Sequence, residues 1–368
     1  LVNHILPQLN IGGLIAKVPI IQGGMGVAIS LNGLASSVAN AGGIGVLATP
    51  GIGLNEPDLK EDFIGSNNRA LAKEIKKCRE KTKGLIGVNI MYALTNYAEL
   101  SKTAIKEGVD IIFSGAGLPM NLPEFLEGGA KTKLVPIVSS GRAAKILAKR
   151  WIDKYNYVPD GFVVEGPMAG GHVGFKLENI DDPEYTLEKL VVEVLKVAKE
   201  TEKATGKKIP VIAGGGIFTG ADIKKFLDLG ASGVQMATRF VATDECDADM
   251  IFKQAYLDCK EEDMVVIKSP VGMPGRAIKN KFIEDSEKGK KQPFECPFHC
   301  IITCDVVNAP YCIALSLLNA QKGEMDHGFA FAGKNAYRVT EIVSVQKLID
   351  SLSEEYSKAV EKQSEPKV

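Results

Sequence analysis

Ile209-Pro210-Val211-Ile212-Ala213-Gly214-Gly215-Gly216-Ile217, followed by Phe218-Thr219-Gly220-Ala221-Asp222, runs from a short apolar segment through three glycines into the start of a helix. The helical stretch Ala221–Leu229 meets Gly230, the residue type that most readily ends a helix in a left-handed conformation, and a second apolar run, Gly233–Met236, follows. Strand, helix and strand in such close order predict two parallel strands joined by a crossover. The same unit recurs upstream, with apolar runs at Val18–Gln22, Ile44–Thr49, Leu85–Met91, Val109–Ser114, Leu134–Ser139 and Gly161–Glu165. Amphipathic stretches at Leu31–Ala41, Tyr97–Glu107, Ala143–Tyr155 and Leu187–Thr205 lie between them, several ending at a glycine (Gly42, Gly108, Gly206). Most runs are nearly continuous in Val and Ile, as strands buried on both faces are. Eight strands, each but the last followed by a crossover, predict an α/β fold closed as a (β/α)8 TIM barrel. An open doubly wound sheet shares the local pattern, because counting strands does not establish closure.

Two segments depart from the alternation. Pro50–Lys83 is too long for an ordinary loop and is expected to hold a helix around Asn68–Lys81 on the side where barrels carry their sites. Beyond Phe240 the pattern stops. Residues 1–240 and 319–368 are assigned to the barrel, and 241–318 to an inserted, mainly helical, Cys-rich lid over its mouth. The polar tail Ser353–Val368 is expected to fray.

The chain has 368 residues, 44 Lys+Arg against 45 Asp+Glu, and 45% hydrophobic residues. That composition excludes a disordered chain, and a net charge of −1 argues against a nucleic-acid partner. No apolar run reaches the ~18 residues of a membrane span, and the N-terminus lacks a basic-then-apolar leader pattern. Seven cysteines in so long a chain fit a reducing, cytoplasmic setting better than a disulfide framework. The expected partner is a small-molecule substrate, without nucleic acid or membrane, and a homodimer stays open.

Functional residues of such barrels stand at the C-terminal ends of strands. The first strand ends Gln22-Gly23-Gly24-Met25-Gly26, where missing Cβ atoms let a flat ligand approach the backbone; alone, the cluster reads as a tight turn. Strand seven ends in Gly214-Gly215-Gly216, and strand eight in Gln235-Met236-Ala237-Thr238-Arg239. These are the two slots in which barrels of this kind build a phosphate cradle, so a phosphate-bearing ligand is expected. Strand six ends Glu165-Gly166-Pro167-Met168-Ala169-Gly170-Gly171-His172-Val173-Gly174. One of only four His residues, placed in a glycine-flanked loop on the functional face, reads as a proton-transfer group. His4 lies near a terminus, and His299 and His327 go with the proposed lid. Asn89, a lone polar residue ending a buried strand, is read as a ligand contact. The lid's Cys296, Cys300, Cys304 and Cys312 are spaced C-x3-C-x3-C-x7-C. Thiolates at zinc and iron–sulfur sites follow other spacings, and on a helix residues four apart would form one core-facing stripe, so no metal is assigned.

Four of these stretches, in this order, carry a family resemblance: Pro19–Gly26, the Glu165–His172 loop, Pro210–Gly216 and Val234–Phe240. Together they resemble the nitronate monooxygenases (2-nitropropane dioxygenases) and their close relative, the flavin-dependent enoyl-acyl-carrier-protein reductase of type II. The resemblance implies an FMN-binding oxidoreductase that acts on nitronates or nitroalkanes with oxygen, or else an enoyl-thioester reductase using NAD(P)H. An electron-transfer protein pairing the flavin with an iron–sulfur cluster in the lid is a third reading. Carried over by position, His172 would be catalytic. Gly23, Gly24 and Met25 would line the flavin ring, and Asn89, Glu165, Gly170 and Gly171 would contact the cofactor. Gly215, Gly216, Gln235, Met236, Ala237 and Thr238 would hold its phosphate. Pro274–Asn280 resembles the Arg-Ala-Ile-Lys-Asn stretch of the reductases. Met168 stands where an acidic residue is usual, and Ala237 where Gly is.

Overall fold

The computed structural model describes residues 5–292, 294–296 and 298–364, so His4 and residues 365–368 lie outside it. Its centre is a closed barrel of eight parallel strands: β1 (Ile20–Gln22), β2 (Ile44–Ala48), β3 (Leu85–Met91), β4 (Ile111–Gly115), β5 (Lys133–Val138), β6 (Phe162–Glu165), β7 (Val211–Gly214) and β8 (Gly233–Met236). They run in sequence order round the ring, with β8 hydrogen-bonded to β1. The open-sheet alternative is thereby excluded.

Inside, Ile21, Ile44, Val46, Ile111, Phe113, Val135, Val163 and Ile212 make one fully buried core, which the N-terminal hairpin Leu9–Ile11/Leu14–Ala16 joins through Leu9, Ile11 and Ala16. The β1–β2 seam has a single paired register, Ile21 with Ile44. The buried Gln22 side chain continues it: its Oε1 accepts from Val46 N (3.0 Å) and its Nε2 donates to Gly23 O (2.6 Å). A buried amide is tolerated here because it meets backbone groups that would otherwise lack partners.

Outside lie α1 (Asn32–Asn40), α2 (Phe63–Lys81), α3 (Tyr97–Lys106), α4 (Gly141–Tyr155), α5 (Leu187–Thr205) and α6 (Gly220–Leu229). The helix expected at Asn68–Lys81 begins earlier, because Asp62 caps it by accepting from Gly65 N. The crossover from β4 to β5 carries no α-helix, only the 3-10 turn Leu122–Phe125; Pro119, Pro123, Gly128 and Gly129 interrupt any longer run. The α6 N-terminus has a reciprocal cap: Thr219 Oγ1 accepts from Asp222 N (3.1 Å), and Asp222 Oδ2 accepts from Thr219 N (2.8 Å). Thr219→Ala is expected to cost about 1 kcal/mol, read as a lower urea midpoint with an unchanged slope.

The eighth barrel helix comes from the far end of the chain. Val345–Ser364 packs against α6 and α1, burying Leu348, Ile349 and Leu352, so the expected fraying does not apply as far as Ser364. Gly220 lets it approach closely, since a Cβ there would stand 2.2 Å from Leu352 O. Glu355 Oε2 accepts from Gly220 N at 2.7 Å.

The segment 241–318 is less helical than its sequence suggests. It holds the helix Met250–Asp258, the short helix Lys281–Glu287, and the start of Ile313–Gln321. Between them an antiparallel hairpin, Met264–Lys268 with Pro274–Ile278, pairs in turn with Gly171–His172. Val265-Val266-Ile267 beside Pro270, Gly272 and Pro274 is the strand-and-turn signal that a purely helical reading passes over. No helix among the described residues is long and apolar enough to cross a membrane.

Candidate active site

A cavity of about 650 Å³ opens at the C-terminal rim of the barrel, within the ordinary range for small-molecule and cofactor sites. Strand register sets its floor. Glu165, Gly214 and Gln235 stand level on β6, β7 and β8, while Asn89 on β3 pairs with Ala48. Gly23, Gly24 and Met25 line the cavity after β1, and Gly170, Gly171 and His172 after β6. Gly215 and Gly216 follow β7, and Gln235, Met236, Ala237 and Thr238 close the ring at β8. Every site residue picked from the sequence therefore meets in one cavity. His327 and His299 are exposed and outside it.

Backbone geometry prepares two kinds of surface. A Cβ on Gly24 would fall 2.4 Å from Asn89 Cβ, so glycine is what brings the β1 loop flat against β3. Gly215 and Gly216 take φ of +100° and +86°, open to glycine and strained for other residues. The N–H groups of Gly215, Gly216, Ala237 and Thr238 have no acceptor among the described residues. Converging free N–H groups suit an anion such as a phosphate. Ala237 has φ −127°, so this position does not need the positive φ that favours glycine. Asn89, Glu165, Gln235 and Thr238 also bring side chains to the cavity that lack hydrogen-bond partners among the described residues. A flat polar ring with an anionic tail would satisfy both surfaces.

His172 is held from three sides. Its backbone pairs with Gly275, its ring meets Phe331 edge-on at 5.0 Å, and its Nε2 lies 2.7 Å from Ser269 Oγ. Burial pushes its pKa down to about 4, so the imidazole is neutral at physiological pH. Glu165 moves the other way, up to about 7, because burial disfavours its carboxylate. Arg276 Nη2 donates to Pro167 O (2.9 Å) and so fastens the Glu165–His172 loop from the hairpin. Asn335 Nδ2 does the same for the β7 loop through Gly216 O (2.7 Å). Ser269, Phe331 and Asn335 were not picked from the sequence. Ser269 sits in a Pro- and Gly-rich turn, and only the folding of the hairpin onto His172 reveals its role.

The nitronate monooxygenase family model matches residues 10–355. A curated relative, (3aS,4S,5R,7aS)-5-hydroxy-7a-methyl-1-oxo-octahydro-1H-indene-4-carboxyl-CoA dehydrogenase of Mycobacterium tuberculosis, is 29% identical over 274 residues, covering 74% of this chain. The match spans only 66% of that relative. A Bacillus subtilis protein named "Probable nitronate monooxygenase" is 25% identical over 92% of this chain and 95% of its own. Among solved structures, FabK from Thermotoga maritima is 29% identical, with 95% of each chain covered and a TM-score of 0.73. The nitroalkane oxidase from Streptomyces ansochromogenes, 22% identical with a TM-score of 0.72 over 95% and 98% of the two chains, shares the fold. With the family model spanning nearly the whole chain, and the barrel and its rim cavity in place, this chain belongs to the nitronate monooxygenase family and is an oxidoreductase.

Proposed function

We propose that this enzyme is an FMN-dependent nitronate monooxygenase that oxidises alkyl nitronates or nitroalkanes with oxygen. The observation that carries this reading is His172: a neutral imidazole, half-buried at the cavity wall, with Nε2 engaged by Ser269 and Nδ1 without a partner among the described residues. FMN fits the residues present. Gly23, Gly24 and Met25 would face its ring, Asn89, Glu165, Gly170, Gly171 and Gln235 its polar edge, and the N–H groups of Gly215, Gly216, Ala237 and Thr238 its phosphate. When bound, the flavin supplies the redox chemistry, taking up electrons from the substrate and passing them to oxygen.

The chain's own part is proton transfer and shelter. Nδ1 can take the α-proton of a nitroalkane when Nε2 carries the ring hydrogen and donates it to Ser269 Oγ. The serine fixes the position of the ring and accepts the Nε2 hydrogen in the tautomer that leaves Nδ1 basic. Phe252, Tyr256 and Leu317 close the cavity from the inserted segment, and Tyr256 OH donates to Phe331 O (2.6 Å), steadying the ring against His172. Ser269→Ala is expected to lower kcat on a neutral nitroalkane about tenfold, the worth of one hydrogen bond to a group gaining charge, and to leave nitronate turnover nearly intact. Ser269→Thr should restore it. Equal losses on the two substrates would mean that Ser269 only packs.

One observation favours a second reading, an enoyl-thioester reductase using NAD(P)H: the FabK likeness extends over 95% of both chains. Mixing the purified enzyme without oxygen with NADPH, NADH and propyl nitronate separates the two. Bleaching of flavin absorbance by nitronate alone is expected. Fast bleaching by NAD(P)H alone would overturn the monooxygenase reading in favour of the reductase.

A further inference from the structure

The stretch from residue 288 to 312 contains four of the chain's seven cysteines and, among its described residues, almost no regular structure. Its fastenings to the barrel side are few: Thr95 N donates to Cys300 O (3.1 Å) and Ile302 N to Ala93 O (2.9 Å). Cys296, Cys300 and Cys304 are not on a helix, so the core-facing stripe expected from their spacing does not exist. All four thiols are free. Cys296, Cys300 and Cys312 line one small second cavity, whose apolar side includes Leu54, Leu94 and the stacked rings of Phe63 and Phe298. Cys304 follows Cys300 in a turn closed by Cys304 N donating to Ile301 O (3.1 Å), and both side chains pack half-buried against the barrel core. Asn96 lines the same cavity, is 3% exposed, and its Nδ2 has no hydrogen-bond partner. A buried NH2 group without an acceptor is costly, and it stands beside a collection of sulfurs.

A single tetrahedral ion, about 2.3 Å from each sulfur, would draw its ligands within about 4 Å of one another. Among the described residues no three His, Cys, Asp or Glu side chains are grouped to hold one ion. A polynuclear cluster binds each thiolate through a different iron, which keeps the sulfurs farther apart, and its sulfur atoms accept hydrogen bonds from nearby donors. We propose that Cys296, Cys300, Cys304 and Cys312 ligate an iron–sulfur cluster, with Asn96 Nδ2 donating to one of its sulfur atoms. The positive charge of bound iron would hold these thiols in the thiolate form. Cys300 lines both cavities, so the cluster stands against the wall of the larger one. Only the inference that it neighbours a flavin rests on the function proposed above.

The test is iron and acid-labile sulfide per full-length chain, after anaerobic purification and reconstitution with ferrous iron and sulfide, together with electron paramagnetic resonance of the dithionite-reduced protein. Stoichiometric iron and sulfide with a cluster signal are expected. Cys304→Ser should lose the signal and most of the iron while keeping its flavin, and Asn96→Leu should keep the cluster with a more negative midpoint potential. Zinc in place of iron, iron at background after reconstitution, or a full cluster in Cys304→Ser would overturn the site. An unchanged potential in Asn96→Leu would overturn the hydrogen bond. Should Cys304→Ser fail to fold, the metal content of the native chain still decides. A cluster without flavin would sink the proposed function and leave this site standing; flavin without a cluster would do the reverse.

Discussion

His172→Asn is expected to cut turnover of a neutral nitroalkane by about 10²–10⁴-fold, the usual worth of a general base, while turnover of the matching nitronate falls far less. The asymmetry follows from where the proton is. A nitroalkane must lose its α-proton in the active site, whereas a nitronate arrives without it. Asparagine keeps a polar side chain near Ser269, and the strand pairing of residue 172 with Gly275 uses backbone only. Flavin content should therefore stay at the wild-type level, which separates loss of the base from loss of the pocket. The pH profile carries the same information. With its pKa held near 4, the free imidazole is neutral across the working range, so kcat/KM of the wild type should show no histidine limb between pH 6 and 8. Losses of equal size on both substrates would end the assignment of His172 as the base.

Glu165→Gln should make the cofactor-free protein more stable at pH 8 by about 2 kcal/mol, and should leave it unchanged near pH 4. Burial holds the Glu165 pKa at about 7, above its ordinary 4.5, so the folded state keeps a proton that the unfolded state has released. Stability is then lost as pH rises through the window from 4.5 to 7. The full shift would correspond to about 3 kcal/mol, and water in the open cavity screens part of it. His172 has the opposite sign: its folded pKa lies below the unfolded 6.5, so its contribution is present above 6.5 and is lost as pH falls towards 4. Between pH 4.5 and 6.5 the two slopes offset each other in the wild type. In Glu165→Gln the histidine slope should stand alone, visible in urea titrations as stability that climbs with pH. A variant whose pH dependence matches the wild type would show that Glu165 ionises freely in the cavity.

The barrel was legible because each of its strands is a short apolar run buried on both faces, and its glycines stand where helices stop or loops press on a ligand. Ile209–Ala213 and Gly233–Met236 lie within two residues of β7 and β8 for that reason. The cavity followed from the strand ends, since barrel topology alone carries Gly24, Asn89, Glu165 and Gln235 to one rim. What did not follow depends on contacts distant in sequence. The hairpin Met264–Ile278 pairs with residues 171 and 172, about a hundred residues upstream, which no local pattern announces. Ser269 gains its meaning only from that pairing. The helical stripe considered for the lid cysteines failed because Cys296, Cys300 and Cys304 lie in irregular chain, with turns starting at Ile301 and Asp305 in place of a continuous i, i+4 ladder. The C-terminal tail from Ser353 read as polar because its described part meets the barrel through few groups, chiefly the partly buried Tyr356 ring and Glu355, which accepts from Gly220 N.

That last helix sets the order in which the molecule can be born. Strand β8 ends at residue 236, yet the helix that covers α6 and α1 begins at residue 345. On a ribosome adding about 5–20 residues per second, the gap lasts on the order of ten seconds, and the outer faces of both helices wait uncovered through it. The nascent chain must therefore extend through residues 237–344 before the barrel can be sealed. High sequence separation at the closing contact makes this a slow, chaperone-exposed step, and the emergence of residues 345–364 is the point at which the barrel can be sealed.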